Sequence, residues 1–216
     1  MLWFCLFLIL FPSFQEEPSG LTIISNLERK LQGIETLEAD FVHIYLPAYQ
    51  TRGMEERGHV YLKRPDRMRW DYQEPERKSF LLKGNMLLSY FYEDKQLLRQ
   101  PLEEEVIRES ILGLLAGKTR LLDLYSAEIV AREEKTQRVT LKLEPRHKQE
   151  ISSLNLEIDT SRWLIVRIAF FEATGVRQEF LFSHYKINPH LPARTFDIPV
   201  PPDWEIIDSR YQEKKF

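Results

Sequence analysis

A chain of 216 residues, 43% hydrophobic and 29% charged, is long enough to bury a substantial core. Its formal net charge of −3 offers neither the basic surplus of a polyanion binder nor an acidic tail. The one cysteine, Cys5, lies near the N-terminus, so the rest of the chain excludes disulfides, thiolate metal sites and cysteine nucleophiles.

Residues 1–14 carry no charge and give way to Gln15-Glu16-Glu17. That run is shorter than the roughly 20 apolar residues of a membrane span and suits the hydrophobic region of a secretory signal ending at 14, or as late as about 20. Export is the expectation. Ser19 then caps a helix with Ile23, Leu27, Leu31 and Ile34 on one narrow stripe and Gly33 near its end. From Leu37 the period changes: Leu37, Ala39 and Phe41 begin a strand that continues through Val42-His43-Ile44-Tyr45 and ends near Pro47.

Gly58 to Pro75 reads as strand, tight turn, strand. Val60 and Leu62 alternate with Tyr61 and Lys63, and Pro65-Asp66 supplies the turn. Met68, Trp70 and Tyr72 then fall on one face, with Arg69 and Asp71 on the other. Strands follow at 78–83, 86–92 and 96–100, the clearest turn being Lys83-Gly84-Asn85. Residues 105–125 fit one or two short helices interrupted at Gly117. Strands resume at 126–133, 138–143, 152–159, 163–171 and 176–187, and the tail from Pro189 to Pro202 carries five prolines that keep it irregular. The expectation is a single domain over 21–216, mainly β, with about eleven strands in an up-and-down antiparallel meander and helices at the start and middle. Thirteen Phe, nine Tyr and four Trp are either the filling of a β core or the lining of an internal apolar surface.

Catalytic signatures are missing. The five histidines, His43, His59, His147, His184 and His190, are scattered without metal-ligand spacing. Gly113-Leu-Leu-Ala-Gly-Lys-Thr119 has three residues between its glycines where a phosphate loop needs four. Neither a Gly-x-Ser-x-Gly nucleophile elbow nor a dinucleotide fingerprint occurs. The basic group Lys63, Arg64, Arg67 and Arg69 is offset by Asp66, Asp71, Glu74 and Glu76, which argues against nucleic acid. No enzyme, cofactor or metal centre is expected.

Four segments, in order, resemble the outer-membrane lipoprotein carrier (LolA) family: Leu37-Glu-Ala-Asp-Phe41, the Gly58–Pro75 hairpin with its Lys-Arg-Pro turn, Gly84-Asn-Met-Leu-Leu-Ser-Tyr90 with Gln96, and Phe196-Asp-Ile-Pro199 with Pro202. The resemblance spans roughly residues 21–207, the hairpin being its specific part. It implies an unclosed antiparallel β-barrel, a half-pipe lidded by short α-helices, that shields the acyl chains of lipoproteins crossing the periplasm. It further implies a soluble monomer that takes acylated lipoprotein cargo from an inner-membrane release complex and passes it to an outer-membrane receptor.

Carried over by position, Arg64 matches the arginine that ties the lid closed, and Met68, Trp70, Leu88 and Tyr90 match positions of the acyl cavity. The alternatives stay open at this point: a turn-flanking surface arginine, and plain core packing. His43 stands where glutamine is usual, Lys83 where aspartate is, Leu88 where tryptophan is common and Tyr92 where proline is. Two rival functions remain: a lipid- or lipoprotein-sensing module on the same fold, and an exported lipid hydrolase, against which the lack of a nucleophile–base pairing counts.

Overall fold

The structure is a computed structural model that describes residues 18–147 and 151–209; the segment read as an export signal, with Cys5, lies outside them. The Ser19 hydroxyl accepts the Thr22 N–H, and helix α1 (Gly20–Gln32) buries Ile23, Ile24, Leu27 and Leu31 before Gly33 caps it. Six strands follow as successive hairpins: β1 (Thr36–Leu46), β2 (Met54–Lys63), β3 (Arg67–Glu74), β4 (Lys78–Lys83), β5 (Met86–Phe91) and β6 (Gln96–Pro101). Three short helices, α2 (Glu104–Glu109), α3 (Ile111–Leu115) and α4 (Leu121–Leu124), break at Ser110 and again after Gly117. A second run comprises β7 (Tyr125–Glu133), β8 (Arg138–Pro145), β9 (Ile151–Asp159), β10 (Leu164–Glu172) and β11 (Arg177–Ile187).

The strands do not form one continuous meander. β7 does not continue from β6; instead β11 pairs with β1, from Leu37 opposite Ile187 to Leu46 opposite Arg177. Two meanders are therefore joined through β1 and β11, and α2–α4 carry the chain from β6, near one end of the sheet, to β7 at the other edge. Twelve strands are seen among the described residues rather than eleven. The extra one, β12 (Glu205–Asp208), lies parallel to β6, and the Glu205 N–H donating to the Lys95 carbonyl sets it there. Its four residues follow a proline-rich tail and leave no alternation to read. The end strands, β12 and β7, do not pair with each other, which leaves the barrel unclosed as a half-pipe under its short helices.

The concave side holds the main core. Phe41, Val60, Trp70, Leu141, Leu156 and Ile168 from the strands meet Ile23 and Leu27 of α1, Ile107 of α2, Leu114 of α3 and Leu121 of α4. Gly58 is a packing requirement: a Cβ there would lie 2.0 Å from the Asp71 carbonyl oxygen and 2.8 Å from the Phe41 ring. A smaller cluster occupies the convex side, where Leu191 and Phe196 of the tail cover Leu81, Tyr90 and Leu97.

Candidate functional site

Pleat alternation decides what faces the interior. On β3, Trp70 and Tyr72 share the concave side; Phe80 of β4 stands directly opposite Trp70, and Leu87 of β5 stands opposite Leu82. With Phe180 of β11 and Ile111 and Leu112 of α3, these side chains line an apolar cavity of about 170 Å³. The ring of Phe41 props the shelf from below, 5.0 Å from Trp70 and 4.8 Å from Tyr72, both edge-to-face. Ligand pockets usually measure about 300–1,000 Å³. The cavity, with Ile111 and Leu112 of α3 on its rim, is smaller than that.

Polar atoms are few on this side. His43 stacks on Phe180 with centroids 4.2 Å apart, and its Nδ1 lies 3.2 Å from Glu56 and 3.4 Å from the Tyr72 hydroxyl. Lys78 holds the same Glu56 at 2.6 Å. Burial pulls the His43 imidazole below its ordinary value, against the opposing pull of Glu56, and pushes the Tyr72 phenol well above its own. His43 Nε2 and the indole N–H of Trp70 are buried without a hydrogen-bond partner.

At the other end of the pipe, Arg64 follows β2 and reaches across to α1. Its Nε donates to the Ile34 carbonyl and its Nη2 to the Leu31 carbonyl. The Leu31 carbonyl, in the last turn of α1, already accepts the Ile34 N–H at 3.2 Å. The guanidinium adds a charged donor at the negative end of the helix dipole and a donor for Ile34 just past the cap. Burial lowers the Arg64 pKa, with Glu35 opposing. Gly117, at φ +62°, brings the α3–α4 loop over the guanidinium; a Cβ there would lie 2.5 Å from Arg64 Nη2 and 3.1 Å from the Gln32 nitrogen. Glu28 of α1 accepts the Leu121 N–H at 2.7 Å, and the Thr119 hydroxyl donates to the Arg108 carbonyl. Sheet, α1 and the α3–α4 loop thus meet at one side chain.

The residues singled out from sequence divide. Arg64 sits at the lid junction. Met68 and Trp70 are both on the concave side; Trp70 lines the cavity, while Met68 lies fully buried toward the Arg64 end. Leu88 and Tyr90 are corrected: they face the convex side. The pairing of Leu82 with Leu87 and of Phe80 with Ser89 turns the intervening residues of β5 outward. There Leu88 packs against the convex cluster and the Tyr90 hydroxyl donates to the Ile198 carbonyl at 3.2 Å. Sequence reasoning missed Phe80, Leu87, Ile111, Leu112 and Phe180 as lining residues. Cross-strand parity with Trp70 would have found Phe80; nothing local marks the two α3 residues.

The family model described as Outer membrane lipoprotein carrier protein LolA matches residues 32–199. The outer-membrane lipoprotein carrier protein of Chromohalobacter salexigens is 24% identical over 183 residues, 84% of this chain and 85% of that protein. A crystal structure of an uncharacterized conserved protein from Thermus thermophilus is similar with a TM-score of 0.58 at 15% identity, covering 86% of this chain and 96% of that one. The crystal structure of MucB is similar with a TM-score of 0.53 at 13% identity, covering 87% of this chain and 65% of that one. At such identities the structural likenesses speak to the fold alone.

Proposed function

The chain belongs to the outer membrane lipoprotein carrier protein LolA family, and on that premise we propose that it is a periplasmic carrier that shields the acyl chains of lipoproteins between the inner and outer membranes. The observation that carries this reading is the lidded apolar groove on the concave side of an unclosed sheet. Each methylene kept from water is worth roughly 0.8 kcal/mol, so a long acyl chain in the periplasm needs such a surface. The groove, lined in part by α3, is smaller than that cargo, so loading lifts the lid away from the sheet. Arg64 sets the cost of lifting, and that cost leaves the bound state loose enough to hand the cargo on.

In this reading residues 21–216 act as one unit, a soluble monomer loaded by an inner-membrane release complex and emptied by an outer-membrane receptor. Trp70 contacts the chains, Met68 backs them at the Arg64 end, and the protein performs no catalysis and holds no cofactor. The rival, a sensing module that binds a lipid or a mislocalised lipoprotein as a signal, uses the same groove.

The deciding experiment is release of a newly matured triacylated lipoprotein from spheroplasts, with and without the purified mature protein and with a non-acylated cargo as control. Acyl-dependent release into a soluble one-to-one complex is expected. Absence of release while lipid co-purifies with the protein would overturn the carrier in favour of the sensor. Absence of both would reduce the groove to packing.

A further inference from the structure

A residue of the groove wall holds a buried, unanswered donor. Trp70 is 4% exposed and lines the cavity, and its indole N–H has no hydrogen-bond partner. Indole nitrogen is a donor only, so neither a tautomer nor a flip relieves it. Its surroundings are aromatic: Phe41 at 5.0 Å, Phe180 at 5.5 Å and Phe182 at 6.0 Å between ring centroids. A buried donor left without an acceptor carries its full desolvation penalty, and a phenylalanine or leucine at this position would line the wall without it. The other unpaired atom, His43 Nε2, belongs to a ring stacked on Phe180 and outside the cavity lining.

The rest of the lining narrows the ligand chemistry. Phe80, Leu87, Ile111, Leu112 and Phe180 offer no polar side-chain atom, and the Tyr72 hydroxyl faces His43. Lys78, the cation over the Tyr72 ring, is held by Glu56. An ionised carboxylate entering this groove would meet no free positive partner and would lose its hydration. A neutral carbonyl loses far less and supplies the acceptor that the indole lacks.

We propose that, once loading lifts α3 from the sheet, the Trp70 indole N–H, buried in the closed form, becomes the donor to the ester or amide carbonyl of a bound acyl chain, so that the groove selects acylated molecules over plain hydrocarbon and over ionised fatty acid. The inference rests on the acyl-binding reading above and adds the atom by which a chain is fixed. Fixing the carbonyl sets where the methylene run begins, which apolar walls alone leave undefined.

The test uses the purified mature protein with methyl palmitate, palmitate and heptadecane delivered from cyclodextrin. Wild-type protein prefers the ester to the hydrocarbon, and Trp70→Phe reduces that ester-to-hydrocarbon ratio about three- to tenfold, the range of one hydrogen bond, the ratio cancelling what the smaller ring does to apolar contact. Infrared spectra of carbonyl-labelled methyl palmitate bound to wild-type protein show a stretch lowered by hydrogen bonding, a readout that needs no variant to fold. A bound ester with an unshifted carbonyl, or the same ester preference in both proteins, overturns the proposal and leaves acyl binding standing. Failure of wild-type protein to bind any of the three overturns both.

Discussion

On the convex side of β3–β5, Leu81, Tyr90 and Leu97 lie beneath Leu191 and Phe196, and the polar atoms around them are paired. The Tyr90 hydroxyl reaches the Ile198 carbonyl, Arg69 reaches the Thr195 carbonyl at 2.8 Å, and Ser79 donates to Asp71 at 2.7 Å. On the concave side the same strands set Trp70, Tyr72 and Phe80 around a void, with an indole N–H and an imidazole nitrogen unpaired. Both sides are apolar and rich in rings. What separates them is completion: a filled, hydrogen-bonded cluster holds the tail down, whereas the concave wall keeps a void and one buried indole donor without an acceptor.

Four changes would sharpen or break that contrast. Phe196→Ala removes a fully buried ring from the convex cluster and is expected to cost about 3–5 kcal/mol in denaturant unfolding, with acyl binding retained wherever the variant is folded. Binding lost from a folded variant would mean that the two sides are not independent. Arg64→Leu removes the guanidinium from the Ile34 and Leu31 carbonyls and leaves Leu31 only its bond from the Ile34 N–H, for about 1.5–3 kcal/mol. Amide exchange should accelerate in the last turn of α1 and around Gly117, and lipoprotein transfer should fail; normal transfer would remove Arg64 from the lid. Tyr90→Phe forfeits one convex hydrogen bond, about 1 kcal/mol, and should leave acyl affinity unchanged.

The smallest effect concerns pH. His43 is lowered by burial below 6.5, so the unfolded chain takes up the proton more readily than the folded one. Stability therefore falls as pH drops through about 6.5 and recovers above it. Replacing His43 with Gln, which keeps a hydrogen-bonding side chain but does not titrate, should flatten that part of the curve in melts run across it. An unchanged slope would show that the stacked imidazole is not its source.

Much of the fold was legible because half-buried strands print their period on the sequence. β3 is the clearest case, with Met68, Trp70 and Tyr72 alternating against Arg69 and Asp71. β5 was not legible in the same way. Met86-Leu-Leu-Ser-Tyr-Phe91 is apolar on both sides, because one side packs under the tail and the other faces the groove. Only its register against β4 assigns Leu87 inward and sends Leu88 and Tyr90 outward. The placement of β7 at the far edge left no local mark either, since α2–α4 are too short for their burial pattern to show where they lead. Arg64 was legible by resemblance, while its partners in α1 and Gly117 came only from the folded arrangement.

The pairing of β1 with β11 bears on how the molecule comes to exist. Every other antiparallel neighbour is a hairpin partner that zips within a short stretch of chain, but Leu37 waits for Ile187. Closing so long a loop adds little to the equilibrium cost, which grows only as about (3/2)RT ln n, yet contacts this distant in sequence slow folding markedly. A chain that emerges N-terminus first therefore presents the open edge of β1 until its last long strand follows. Phe180 and Phe182 arrive with that strand, so the groove is the last part to be finished. A prematurely terminated product would carry the stickiest edge and no finished groove, which makes it prone to aggregation and proteolysis.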